Sequence, residues 1–298
     1  DTIHALGNLY IHTPNLDRLC REGVAFTKTY CQNPVCTPSR ASFLTGLYPS
    51  TIHVNQNGNE HFNEKAKLIT GILSDAGYDC GLSGKLHLAS AFLGIEQRVH
   101  DGYRELYYSH DPYGDAEKGE QYAQWLIGKG INLEDIFEKG ETRKFRGYKR
   151  NIPVELHQTV WCTDRAIHFI KEKREGPWLF SLNIFDPHPP FDAPDEYRNR
   201  YNPSQMPEPI FSENDLITQQ KLRGIYHQSA QSVKRPDEKS KEIIASYYGM
   251  IELIDEQVGR LIEVLEETGQ TENTIIIYAS DHGEMLGDHG LLLKGCRF

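Results

Sequence analysis

Apolar positions recur along this chain in two alternating rhythms. Residues 240–269 place apolar side chains at 243, 244, 247, 251, 254, 258, 261, 262 and 265, the spacing of one helix face. "KAKLITGILSDAG" (65–77) and "VELHQTVWCTDRAIHFIKEK" (154–173) read as helices in the same way, the first stopped by Gly77. Thr13 as N-cap, Pro14 at the first helical position and Gly23 as the stop frame another helix. "SRASFLTG" predicts a short helix from Ser39 to Gly46. Between these lie short runs that are apolar or β-favouring throughout: "VAFTKTY" (24–30), "YDCGLSG" (78–84), "WLFSLNIF" (178–185) and "TIIIYASD" (274–281). The last two carry the pattern of strands covered on both faces. Strands alternating with helices predict an α/β fold with a mostly parallel central sheet flanked by helices. Residues 94–152 and 192–235 show weak periodicity. The first stretch reads as an insertion over a binding face.

Composition narrows this only slightly. The 298 residues are 38% hydrophobic and 25% charged, enough for one large α/β domain. No apolar run is long enough to span a bilayer. A net charge of −10 argues against a nucleic-acid partner but leaves room for an anionic substrate held by local cations. Six cysteines, at 20, 31, 36, 80, 162 and 296, are too few for a disulfide scaffold and form no C-x-x-C pair.

The chemistry-bearing residues sit where predicted strands end, which in open α/β sheets is the ligand crevice. Cys36 opens "CTPSRASFLTG" after a proline-containing loop. As a lone cysteine it reads as a small buried hydrophobe, half of a disulfide with Cys31, a metal ligand or a reactive thiolate, and flanking residues do not choose among these. Lys85 and His87 follow the strand at 78–84 and, if extended, face one spot. His188 stands in "DPHPP", stiffened by prolines. Asp281 and His282 end another predicted strand and suit a divalent cation, the carboxylate favouring a hard ion and the imidazole a transition metal. Lys294 closes a Gly-rich loop. Each feature alone reads as a solvated or capping residue. Together they equip a site for sulfuryl or phosphoryl transfer, which rests on positioning and charge.

These stretches, in order "HTPNLDRLCREGVAFTKTYCQNPVC", "CTPSRASFLTG", "GYDCGLSGKLHLA", "DPHPPF" and "YASDHGEMLGDHGLLLKG", resemble the formylglycine-dependent type I sulfatases of the alkaline phosphatase superfamily. The resemblance runs from near residue 7 to residue 295. It implies that a maturation enzyme oxidises Cys36 to formylglycine, with Pro38 and Ser39 in its recognition signal. It also implies that the hydrated aldehyde attacks sulfur and later collapses to expel sulfate. By position, Arg40 resembles the arginine supporting the nucleophile and metal, and Lys85 and Lys294 the sulfate-binding lysines. His87 resembles the histidine that hydrogen-bonds the nucleophile, and His188 the one that protonates the leaving oxygen. Cys36, Asp281 and His282 resemble ligands of a Ca²⁺ ion.

Two features depart from the family pattern. Its Asp-Asp metal pair has no counterpart here, since Asp1 stands too close to "ALGN", and the family continues past Lys294 into an antiparallel subdomain. A partial domain with an incomplete sheet and metal site, poorly stable and inactive in isolation, is the expectation. Leu47 also stands where the signature often has Arg.

The implied substrate is a sulfate ester. The tyrosines and His110 of "DGYRELYYSHDPYGD" read equally as packing residues of the insertion or as rings stacking on a sugar, and the second favours a sulfated carbohydrate. A phosphonate monoester or phosphodiester hydrolase is the main alternative, and a catalytically inactive binding homologue the other. The family suggests a periplasmic, secreted or lysosomal location, with cytoplasmic members known.

Overall fold

A computed structural model of the chain describes residues 2–59, 61–63, 65–89, 96, 98–113, 116–139, 146–149, 152–222 and 236–295. Asp1, Cys296 and parts of the stretches 94–152 and 192–235 lie outside these. The helices are α1 (Pro14–Glu22), α2 (Cys36–Thr45), α3 (Pro49–Ile52), α4 (Ile69–Asp75), α5 (Gln121–Gly128), α6 (Leu133–Ile136), α7 (Gln158–Lys171), α8 (Asp195–Arg198), α9 (Glu213–Leu222) and α10 (Glu238–Glu267). The strands are β1 (Asp79–Gly84), β2 (Tyr103–Tyr108), β3 (Phe137–Lys139), β4 (Arg146–Tyr148) and β5 (Trp178–Asn183).

The main sheet has the order β2-β1-β5, and both pairings are parallel. In the centre, Leu82 stands opposite Leu106 on one side and Ser181 on the other. Side-chain alternation along β1 decides what covers each face. Cys80 and Leu82 point into a core with Ala41 and Leu44 of α2, Leu68 and Leu86. Gly81 and Ser83 point the other way, toward α7. A Cβ at Gly81 would stand 2.7 Å from Phe180 and 2.8 Å from Phe169, so only glycine lets α7 approach this closely. Ser83 Oγ donates to the Cys162 carbonyl of α7 at 2.8 Å. The α10 helix packs outside α7. It begins at a capping box between Asp237 and Ser240.

Several local signals act differently from the sequence reading. Thr13 stands at the N-cap of α1 but makes no side-chain cap. Its hydroxyl donates to Asp17 at 3.1 Å, and Asp255 of α10 accepts instead from the amides of Asn15 and Leu16, at 3.2 and 2.7 Å. The free N–H groups of α1 are thus satisfied by another helix. The α2 helix starts at Cys36 rather than Ser39, because Pro38 is tolerated in a first turn whose amide needs no partner.

The segments 24–30 and 274–281 are not strands. Neither is paired with a neighbour among the described residues, and a strand exists by its ladder. Phe26 and Ile275 are accordingly 80% and 88% exposed. The β5 strand, expected to be covered on both faces, is half-buried along its length. The stretch 94–152 contains β2, part of the central sheet, as well as the small antiparallel pair β3-β4. No helix among the described residues is long and apolar enough to cross a membrane.

A second core lies beneath β3-β4, around Tyr122, Phe137, Tyr148 and Trp161. Asp192 reaches into it, accepting from the Tyr113 hydroxyl at 2.9 Å and the Tyr148 amide at 2.5 Å. Burial first, then the nearby Asp186 carboxylate, pushes Asp192 up to about 8. An unfolded Asp titrates near 3.8, so the folded state holds this proton more tightly. Its stabilising effect is complete below that value and is lost as pH rises toward 8. Asp192→Asn is therefore expected to unfold at a higher temperature relative to the unsubstituted chain at pH 8 than at about pH 5. Thermal melts at the two pH values read this difference directly.

Candidate active site

The carboxyl ends of β1 and β5, the first turn of α2 and the loop after residue 280 converge on Cys36. The thiol is 2% exposed, and its Sγ lies 3.2 Å from His282 Nε2. Cys36 is a free thiol, as is Cys31, so no disulfide joins them. No base adjoins Cys36 in sequence, but folding brings one beside it. Burial raises the Cys36 thiol. The His282 hydrogen bond and the charges of Lys85 and Lys294 outweigh burial and bring it down to about 6. The unmodified Cys36 thiol is thus more acidic than a free cysteine.

The backbone sets the orientation of His282. Its Nδ1 donates to the Gly283 carbonyl at 2.8 Å, which leaves Nε2 facing Cys36. Cys36, Asp281 and His282 each offer one donor atom, and the three atoms lie within 4.8 Å of one another. This cluster fits a divalent cation as part of a shell. Ca²⁺ takes about six to eight oxygen ligands. Here Asp281 supplies a carboxylate, and an oxygen in place of the Cys36 sulfur would make the set harder.

Arg40, one turn along α2 from Cys36, ties the pieces together. Its Nε donates to Asp281 Oδ2 at 2.8 Å and its Nη1 to the Lys85 carbonyl at 2.9 Å. Ser39 Oγ donates to the Asp281 carbonyl at 2.5 Å. Burial raises the Asp281 carboxyl, but Arg40, His282 and Lys85 hold it below the usual range.

Lys85 follows directly from β1. Its amide donates to the Asn183 carbonyl of β5 at 2.9 Å, and Asn183 Nδ2 donates back to the Lys85 carbonyl at 2.9 Å. Gly84 between them has φ +99°, and a Cβ there would stand 2.1 Å from the Asn183 oxygen. Burial lowers the Lys85 ammonium to about 8, with Arg40 and Lys294 adding to the shift and Cys36 opposing it. The His188 ring lies tilted against Phe185, centroids 4.5 Å apart, and its Nδ1 donates to the Pro189 carbonyl at 2.7 Å. Nε2 of His188 is therefore the nitrogen left to meet a ligand. Burial, Lys294 and Lys85 keep His188 neutral. Burial, Lys85 and His110 do the same for His87. Lys294 returns to the site because the loop after His282 folds back on itself, with Met285 N donating to Leu293 O at 3.0 Å and Gly287 N to Leu291 O at 2.8 Å.

All eight residues singled out in the sequence (Cys36, Arg40, Lys85, His87, His188, Asp281, His282 and Lys294) thus come together. Lys85 and Lys294 place positive charge near Cys36, with neutral His87 and His188 and the Arg40–Asp281 ion pair beside them, in a chain of net charge −10.

The aromatic stretch behaves differently. Tyr103 and Tyr108 are buried, Tyr103 bonding Ser181 Oγ at 2.9 Å. Tyr113 bonds Asp192, and Tyr107 packs in the core of Tyr122 and Trp161. These tyrosines are packing residues, and their hydrophobic bodies were better served inside than on a sugar. His110 alone of this group turns to the site, its ring meeting that of His87 edge-on at 4.6 Å. Asn183, Phe185 and Glu96 also serve the site and left no trace in the sequence pattern. Their roles depend on which backbone they meet.

A family model described as Sulfatase matches residues 1–296. The chain is 33% identical to an arylsulfatase of Clostridium perfringens, over 99% of this chain and 63% of that protein. It is 32% identical to the multifunctional alkaline phosphatase superfamily protein PehA of Trinickia caryophylli, over 96% of this chain and 60% of that protein. Among solved structures it matches the phosphonate monoester hydrolase of Agrobacterium radiobacter with a TM-score of 0.82 and 26% identity, covering 100% of this chain and 63% of that one. The chain therefore spans about three fifths of the length of these relatives.

If Arg40 is the tie between these segments, Arg40→Gln strands the half-buried Asp281 carboxylate. It is expected to cost about 2 kcal/mol of stability, discounted for partial exposure. Asp281→Asn added to it should recover most of that loss. Urea unfolding of the single and double variants measures both.

Proposed function

The chain belongs to the sulfatase family, and on that basis we propose that it is the catalytic part of a hydrolase acting on sulfate esters. The observation that carries this reading is the convergence of Arg40, Lys85 and Lys294 on Cys36, with the Asp281–His282 pair beside it. In this reading Cys36 is matured to formylglycine by a modifying enzyme, and Ca²⁺ is held by residue 36, Asp281 and His282. Bound in place, these groups supply an oxygen nucleophile and a Lewis acid.

The chain's own residues do the rest. Lys85 and Lys294 bind the sulfate oxygens. Arg40 keeps the Asp281 carboxylate ionised and aimed. Neutral His87 accepts a proton beside residue 36. His188, with Nδ1 committed to Pro189, uses Nε2 toward the leaving oxygen. A bound anion favours the protonated form of His188 against burial and the lysine charges, so that Nε2 can deliver a proton. From the stretch 94–152, His110 adds to the substrate-facing side.

A sulfated carbohydrate is the substrate class we propose to test first, although the stretch 101–115 supports it only through His110. A phosphonate monoester hydrolase is the second reading, favoured by the TM-score of 0.82 to such an enzyme.

Two measurements on the full-length protein test this. Cys36→Ala is expected to lower turnover of an aryl sulfate by about 10³-fold or more. Peptide masses should show residue 36 as the aldehyde or its hydrate. Undiminished turnover by Cys36→Ala, or cysteine throughout the active protein, would refute the reading. Faster turnover of aryl phosphonates than of aryl sulfates would favour the second reading.

A further inference from the structure

Just past Lys85, the backbone of His87 adopts the left-handed conformation, φ +58°. A non-glycine residue held there is strained and persists only where its surroundings fix it. What fixes it here is a carboxylate from nine residues on. Glu96, 9% exposed, accepts from the His87 amide at 2.6 Å and also from the Leu88 amide. The Ala89 amide contributes a third bond. Successive N–H groups converging on one anion form a nest, here closed by the chain's own side chain.

Among the described residues no hydrogen bond anchors the His87 ring. Its Nδ1 is buried with no partner among the described residues. Its ring direction therefore follows from the backbone it leaves and from the His110 ring that meets it edge-on at 4.6 Å. Between Gly84 and Ala89 the chain is held at two ends: Asn183 and Arg40 bind Lys85, and Glu96 binds 87–89.

We infer that Glu96 is a positioning residue: its carboxylate clamps the 87–89 turn and thereby aims the His87 imidazole at residue 36. This rests on the proposed sulfatase reading for the role of His87. Gln at this position keeps the shape but puts an NH₂ group against a backbone N–H, so one of the bonds becomes a donor–donor contact.

The test uses Glu96→Gln, with Glu96→Asp as a gentler variant should the first fail to fold, each alone and combined with His87→Ala in the full-length protein. Glu96→Gln is expected to lower kcat on an aryl sulfate about 10- to 100-fold with KM little changed. Combined with His87→Ala it should add little to the loss from His87→Ala alone, because it acts through that ring. Hydrogen–deuterium exchange should quicken at 85–89 and not across β1 or β5.

Additive losses in the double variant, unchanged kcat or unchanged exchange at 85–89 would overturn the inference. Cys36→Ala run alongside separates the two failures. If Cys36→Ala is inactive and Glu96→Gln is not impaired, only the role of Glu96 falls. If Cys36→Ala stays active, the sulfatase reading falls, whatever exchange shows at 85–89.

Discussion

The guanidinium of Arg40 faces two acceptors from distant parts of the chain, the Asp281 carboxylate and the Lys85 carbonyl. A planar group with fixed N–H directions can satisfy both only if the α2 helix, the turn after β1 and the loop at 281 hold one relative geometry. Cys36 lies one helical turn from Arg40, so the same constraint sets the thiol against His282 and near Lys85. The cost is a concentration of positive charge that repels itself. Burial and neighbouring cations already lower Lys85 to about 8 and keep His87 and His188 neutral. An anion in the centre would relieve that repulsion, which is the physical basis of the proposed sulfate site.

Around this point the scaffold is built for close approach. Gly81 lets α7 lie against β1, and Gly84 lets the Lys85 turn lie against β5. The turn is then fixed from both sides, by Asn183 and Arg40 at Lys85 and by Glu96 beyond it. Rigid supports of this kind are what electrostatic catalysis needs, since donors that must reorganise lose much of their effect.

Cys36 and Arg40 in the first turns of α2, and Lys85 and His87 just past β1, were readable because helix starts and strand ends aim side chains into the crevice, whereas Asp281, His282 and Lys294 stand in loops and were readable only through their motif. The helices at 158–171 and 238–267 were readable from their period, displaced by a few residues at their ends. Apolar runs misled at 24–30 and 274–281, since a run reports the wish to be buried and not the presence of a pairing partner. For the tyrosines at 103, 107, 108 and 113 composition left packing and stacking both open, because it does not tell a packing ring from a stacking platform, and the structure shows packing. Glu96 and Asp255 could not be found at all. A carboxylate that binds distant amides has no local pattern.

Calorimetric binding of inorganic sulfate to the full-length protein tests the central claim most directly, that Arg40, Lys85 and Lys294 form one anion site at residue 36. Saturable binding is expected, weakening at least about tenfold when Lys85 and Lys294 are both replaced by Met, the loss of two charge-assisted contacts. Sulfate binding of unchanged affinity in that double variant would contradict it.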